Sequence, residues 1–199
     1  LLFLESEALE DLERVMTNVV LRDNLFGRRA APTSPSSYET MRELIAWTIE
    51  RSLQGPTCKL HKQLAGLIEA TDVVVSMNYD VLFDVALREA KRIDDLSYGV
   101  AFHRVHDSHG WNKPREASSS LELLKLHGSL DWGRCIECST LLLVPDVVHS
   151  LEQFQFRPLV HLQCPRCERD GGIERLIIPP IQSKEYNEDP YRFLWLRAA

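Results

Sequence analysis

Two Cys-x-x-Cys pairs, Cys135 with Cys138 and Cys164 with Cys167, supply four thiols separated by a 25-residue spacer. Zn²⁺ takes four soft ligands tetrahedrally, and each short Cys-x-x-Cys turn can aim two sulfurs at one point. Two such turns on neighbouring strands make a zinc ribbon. The competing readings are reduced, unligated cysteines, a redox pair, or His161 in place of one thiol. Thioredoxin-type chemistry wants a Cys-x-x-Cys that opens a helix after a strand, and neither pair does so. With four thiolates and no open coordination position, zinc here holds structure and performs no reaction. Cys58 stands apart as a small core or surface residue.

The residues that could do chemistry lie elsewhere. His127 ends the apolar run "LELLKL", and Gly128 lets the backbone turn sharply behind it. Asn78 and Asp80 follow the run "TDVVV" in the turn "SMNYD". In parallel α/β sheets ligands bind beyond the carboxyl ends of strands. Two such ends presenting Asn, Asp and His could form one crevice. Histidine serves as a general base near neutral pH, and asparagine both donates and accepts hydrogen bonds. The plainer alternatives are that Asp80 caps the following helix and that His127 is a satisfied turn histidine.

The elements that must position these groups follow from periodicity. An amphipathic helix is expected over Glu5 to Val20, with Leu9, Leu12, Val15 and Met16 on one face. "GRRAAPTSPSS" is a loop. Ser36 and Glu39 form a capping-box pattern that opens a helix over Tyr38 to Leu53, with Met41, Leu44, Ile45 and Ile49 inward. "QGPT" ends it. A third helix over Lys59 to Ala70 uses Leu60, Leu64, Leu67 and Ile68.

The valine run, Thr71 to Asn78, then reads as a strand buried on both faces, followed by helix over Asp80 to Lys91. Strand, turn and helix in that order predict an α/β fold with a parallel sheet. Residues Asp94 to Ser120 read as polar and irregular. Leu121 to Leu126 is a second strand, "TLLLVP" and "PLVHLQC" are short strands between the cysteine pairs, and Arg175 to Pro180 is a third core strand. "YRFLWLRAA" reads as a helix cut short.

Composition sets the outer limits. The chain has 199 residues, 44% hydrophobic and 26% charged, enough for a packed core. A net charge of -6 argues against a broad phosphate-binding surface, so nucleic acid is not an expected partner. No apolar run reaches membrane-spanning length, and the acidic start lacks the pattern of a secretory leader. A cytoplasmic protein, with no membrane partner, is the expectation. The missing initiator Met and the clipped last helix suggest a fragment of a longer protein. His103, His106 and His109 stand three apart in "FHRVHDSHG", a conceivable second metal site but more simply an exposed loop or hairpin. Lys184 could meet a phosphate, "KEYNED" reads as solvated surface, and His61 reads as a packing residue.

"SMNYD", then "LKLHGSLDW", then two Cys-x-x-Cys pairs in that order resemble the sirtuin-like family of NAD-consuming proteins. That family carries a Thr-Gln-Asn-Ile-Asp type turn, a catalytic His-Gly and a four-cysteine zinc module after it. The Asn-Tyr-Asp turn with His-Gly-Ser-x-x-Trp looks closer to bacterial sirtuin-like domains than to protein deacylases. "IIPPIQSK" and the Leu-Trp helix are similar to that group as well. The resemblance covers about Lys59 to Ala199, and the helices before it fit the family's variable helical insertion.

The resemblance implies a Rossmann-like parallel sheet, incomplete at both ends, with a helical module over 1–58, the NAD-binding core over 59–131, the zinc ribbon inserted over 132–173 and a return to the core over 174–199. It implies NAD⁺ as co-substrate and Zn²⁺ as structural ion. His127 would be the base toward a ribose hydroxyl, Asn78 would hold the ribose or a water, and Asp80 would contact the nicotinamide side. Ser76 and Ser129 would add polar contacts. The implied reaction is cleavage of the nicotinamide–ribose bond, with water as acceptor; the alternatives are an NAD-dependent deacylase acting on an acylated protein and a non-catalytic interaction module. A fused effector or sensor domain is a further implied partner.

Three departures bear on this. Met77 stands where sirtuins have Gln, which removes a polar contact and leans away from deacylation. No Gly-x-Gly phosphate loop occurs in the sequence, and the late Gly-Ser strand end of the family is missing. Without the pyrophosphate cradle, this piece alone is expected to bind NAD⁺ poorly.

Overall fold

A computed structural model describes residues 14, 16–18, 21, 37–53, 56–91, 96–106, 110–112, 121–143, 163–169, 172–178 and 189–199. Two compact units are present, Leu1–Thr48 with Ile178–Glu185, and Ile49–Ile177 with Tyr186–Ala199. Among the described residues no helix is long and apolar enough to cross a membrane.

Of the first expected helix, residues 14 and 16–18 are helical and Met16 is fully buried; the remainder lies outside the described residues. So do Ser36, His109, His161, Lys184, the rest of the acidic run before the exposed Asp189, and most of "PLVHLQC". Helix α1 (Ser37–Ser52) forms where the capping pattern and apolar spacing predict it. Among its described side chains Arg42 and Ala46, one turn apart, are buried, while Leu44, expected inward, is exposed.

The second unit carries the chemistry. Helix α2 (Lys59–Leu67) ends where Ile68 turns extended, three residues before the expected stop. The face predicted to be inward is corrected here: Leu60, Leu64 and Leu67 are all exposed, and α2 buries Ala65. Helix α2 packs on the next helix, α3 (Leu82–Lys91), with the His61 ring 6.0 Å from that of Phe83. Lys62 and Glu89 add an ion pair at 2.8 Å.

Strand β1 (Val73–Ser76) lies between them in sequence and is shorter than predicted. The expectation of burial on both faces fails, because Val73 and Val75 are about half exposed. Among the described strands β1 has one partner, β4 (Glu122–Lys125), and pairs with it in parallel, Val73 opposite Glu122 through Ser76 opposite Lys125. Helix α3 runs between these two strands in sequence, as a parallel crossover requires. Its buried residues include Val85, Ala86 and Leu87.

The stretch read as irregular supplies structure. Ser97 bridges Glu122, and β2 (His103–His106) and β3 (Gly110–Asn112) form an antiparallel pair. With β5 (Gly128–Cys135), β6 (Leu141–Leu143) and β7 (Ile173–Ile177) they make a five-stranded sheet in the order β3-β2-β6-β5-β7. Only the β2–β6 pair is parallel in it. The third core strand therefore joins this mixed sheet, antiparallel to β5, and not the parallel pair.

Trp132 anchors the core of this unit. It is fully buried, with its ring 5.3 Å from Tyr98 and 4.8 Å from Phe102. Truncating such a side chain costs about 3–5 kcal/mol. Helix α4 (Tyr191–Ala198) returns to the parallel pair, tied by the Arg197 guanidinium to both Glu122 oxygens and by the Trp195 indole N–H to the Leu126 carbonyl at 3.2 Å.

Candidate metal centre and strand-end site

Cysteines 135, 138, 164 and 167 place their four sulfurs within 4.8 Å of one another. Cys135 Sγ is 3.6 Å from Cys167 Sγ, and Cys138 Sγ is 3.5 Å from Cys164 Sγ. These separations are far too long for S–S bonds, at about 2.05 Å. They match the roughly 3.8 Å between ligands that a tetrahedral ion with Zn–S near 2.3 Å requires. All four thiols therefore fit one zinc ion, with no residue left over and no open position.

The backbone repeats itself around the two pairs. Ser139 N–H donates to the Cys135 carbonyl at 2.9 Å, and Glu168 N–H to the Cys164 carbonyl at 2.9 Å. Cys135 N–H donates to Thr140 and Cys164 N–H to Arg169, both at 3.0 Å. Ser139 and Glu168, each following the second cysteine of its pair, take φ of 56° and 58°. Two non-glycine residues held left-handed at equivalent places mark a built feature, since that conformation costs roughly 1–2 kcal/mol each. The thiols differ in acidity: burial pushes Cys135 up to about 12. Burial also opposes ionisation of Cys138, but hydrogen bonds, led by the Thr140 hydroxyl, outweigh it and draw that thiol down to about 6.

The strand-end residues gather at the carboxyl edge of the parallel pair. Leu126 N–H donates to the Ser76 carbonyl at 2.9 Å, so β1 and β4 exit side by side. The turn after β1 is then tied to the start of β5 by Leu130 N–H to the Tyr79 carbonyl at 2.8 Å. Within the first turn, Ser76 Oγ accepts from Asn78 N–H at 3.2 Å, and Asn78 is exposed. Asp80 Oδ1 accepts from Leu82 N–H at 2.9 Å, which is the helix-capping alternative. Tyr79 is half-buried, which raises its phenol above the usual value.

His127 is half-buried, its ring 6.3 Å from that of Trp195 on α4. Behind it, Gly128 has φ of 82°, and a Cβ there would lie 2.0 Å from the Leu176 carbonyl oxygen. Glycine is thus required twice, by conformation and by the close approach of β7. Ser129 is fully buried and bonded to Lys125 Nζ at 2.7 Å, so its hydroxyl is already engaged inside the protein.

One set of residues escaped the sequence reading. Lys125 is 1% exposed and donates to the Asp80 carbonyl, to Asp84 Oδ2 at 3.0 Å and to Ser129 Oγ. Asp84 also accepts from the Tyr98 hydroxyl at 2.8 Å, which in turn accepts from Arg88 at 3.2 Å. Asp131 is buried nearby; burial and the Asp84 charge raise its carboxyl above the ordinary range, against the pull of Lys125. Burial and the neighbouring Asp84 charge likewise push the Tyr98 phenol well up. The sequence offers no local signal for this cluster, because Lys125, Asp84, Tyr98 and Asp131 meet only in the fold.

An open pocket of about 690 Å³ lies elsewhere, beside the first knuckle, lined by Ala101, Arg134, Ser139, Pro190 and Phe193 among others. It contains neither His127 nor Asn78, and Arg134 is neutralised there by Glu174 at 2.6 Å.

No protein-family model and no curated protein matches the chain. Among solved structures it is similar to the crystal structure of a Sir2 homolog–NAD complex, at 17% sequence identity and a TM-score of 0.37. The match covers 87% of this chain and 64% of that one, so the chain spans somewhat under two thirds of its neighbour's length.

Proposed function

We propose that the chain is the catalytic part of a sirtuin-like enzyme that cleaves the nicotinamide–ribose bond of NAD⁺, with water as acceptor. The observation that carries this reading is the pairing of β1 and β4, which exit together and present Asn78 and His127 at one carboxyl edge, directly ahead of a four-thiol knuckle. That order of parts is the one the sequence motifs imply.

The substrate would lie over the strand ends with its nicotinamide ribose toward His127. Bond cleavage sends the C1′–N electron pair to the pyridinium nitrogen and leaves positive character on the ribose. Water adds to C1′, forming ADP-ribose and nicotinamide and releasing one proton. His127 would act as base toward a ribose hydroxyl, and Asn78 would hold the ribose or the water. Fixed polar groups around a developing cation supply the larger share of such catalysis. Asp80 would act on the nicotinamide side while capping α3, and Ser76 would steady Asn78. Ser129 enters through Lys125. Met77, about half exposed where a polar side chain would favour acyl transfer, supports hydrolysis over deacylation.

Product analysis tests the acceptor. The protein at its full natural length, incubated with NAD⁺ in ¹⁸O-water and no peptide, should yield nicotinamide and ADP-ribose labelled at C1′. Release only when an acetylated peptide is added would replace hydrolysis by deacylation.

A further inference from the structure

Lys125 joins parts of the site that the sequence keeps far apart. Its ammonium has three N–H donors, and all three are used: on the Asp80 carbonyl in the turn after β1, on Asp84 in α3, and on Ser129 at the start of β5. Asp80 is two residues from Asn78, and Ser129 is two residues from His127. Buried as it is at 1% exposure, Lys125 is paired with an equally buried Asp84. Charged groups of this kind are costly to bury and keep their place only when their bonds are complete.

We infer that Lys125 is a positioning residue, which locks the Asn78–Asp80 turn to the His127–Ser129 turn and so sets the spacing of the two groups that face the substrate. The inference rests on the proposed reaction for its catalytic consequence, but the lock itself is a property of the fold. The ammonium touches no substrate. It holds one turn by a carbonyl and the other by a hydroxyl, while Asp84, held by Tyr98, supplies the counter-charge from the helix between them.

The variant Lys125→Met alone leaves Asp84 buried and unpaired, so folding could fail for that reason. The double variant Lys125→Met/Asp84→Asn removes both charges and keeps an acceptor for Tyr98. Two readouts apply. Native-state hydrogen exchange should quicken about tenfold or more at the Leu82, Leu126 and Leu130 amides, which bond across or within these turns, while the Leu123 amide, bonded to Ser97, keeps its protection. Nicotinamide release should lose about tenfold or more in kcat, with the KM for NAD⁺ changed far less. Unchanged exchange at all three turn amides would overturn the lock. Quickened exchange with unchanged kcat, in a protein that does release nicotinamide, would overturn its catalytic consequence. A wild-type protein that releases no nicotinamide would sink the proposed reaction, and the exchange arm would still decide the lock.

Discussion

At the residue scale Gly128 and the buried charges around Lys125 bear the tightest constraints. A Cβ at Gly128 meets the Leu176 backbone and would sit on a left-handed φ, so relief requires β7 to move. Gly128→Ala should cost about 3 kcal/mol or more, the sum of backbone strain and overpacking. Urea unfolding checks this, and a variant within about 0.5 kcal/mol of wild type, the ordinary surface range, would contradict the close approach. Asp131 gives a pH signature. Its carboxyl is raised in the folded state, so the native protein binds that proton more tightly than the unfolded chain. Its contribution therefore falls as pH rises from the ordinary aspartate value of 3.8 through the raised folded value. Asp131→Asn should be more stable than wild type at pH 7, by on the order of 1 kcal/mol, with the advantage shrinking toward pH 4. A variant that loses stability at pH 7 would show that Asp131 is held there as a needed anion.

His127, Asn78 and Asp80 were legible because each follows an apolar run, and a polar residue just beyond such a run has few places to go but a strand end. The turn geometry contains the capping role of Asp80. Lys125 was illegible for the opposite reason. A lysine between leucines signals a solvent-facing position, and only the tertiary meeting of Asp80, Asp84 and Ser129 makes its burial tolerable.

At the element scale the thiol knuckles are the firmest match of sequence to structure. Local spacing alone determines a Cys-x-x-Cys turn, and the two pairs need only face each other. Strand β5 was missed as an element, because "GSLDWGRC" carries no clean alternation; it is buried along almost its whole length. The apolar face of α2 was misread because spacing identifies an amphipathic stripe without saying what covers it. Ala65, not the three leucines, is the residue that α2 buries. The four-thiol geometry predicts one zinc per chain by elemental analysis. Cys164→Ser should lose that zinc and loosen β5, β6 and β7 together, seen as lost exchange protection of Cys135 and Ile136, whose amides bond to Thr140 and Gly172. Zinc should also be released as pH falls, because protons compete for the thiolates. Full retention of zinc in Cys164→Ser would contradict four-cysteine ligation.

At the scale of the whole molecule, the α/β class and its parallel pair followed from strand, turn and helix in order. The second sheet did not, because its partners are set by long-range meetings: β2 beside β6, and β7 beside β5. What results is a small parallel element that ends in polar turns, followed through Gly128 by a mixed sheet that carries the four-cysteine cluster. Helix α4 closes over the junction, its Trp195 bonded to the last residue before His127.

The most direct test of the central claim is nicotinamide release from NAD⁺ by the full-length protein, its zinc verified, beside His127→Ala and Asn78→Ala. Release should be peptide-independent, reduced about 100-fold or more in His127→Ala and substantially in Asn78→Ala, as expected on losing a general base and a positioned hydrogen bond. Release that persists at the wild-type rate in His127→Ala, with zinc and fold intact, would contradict that claim.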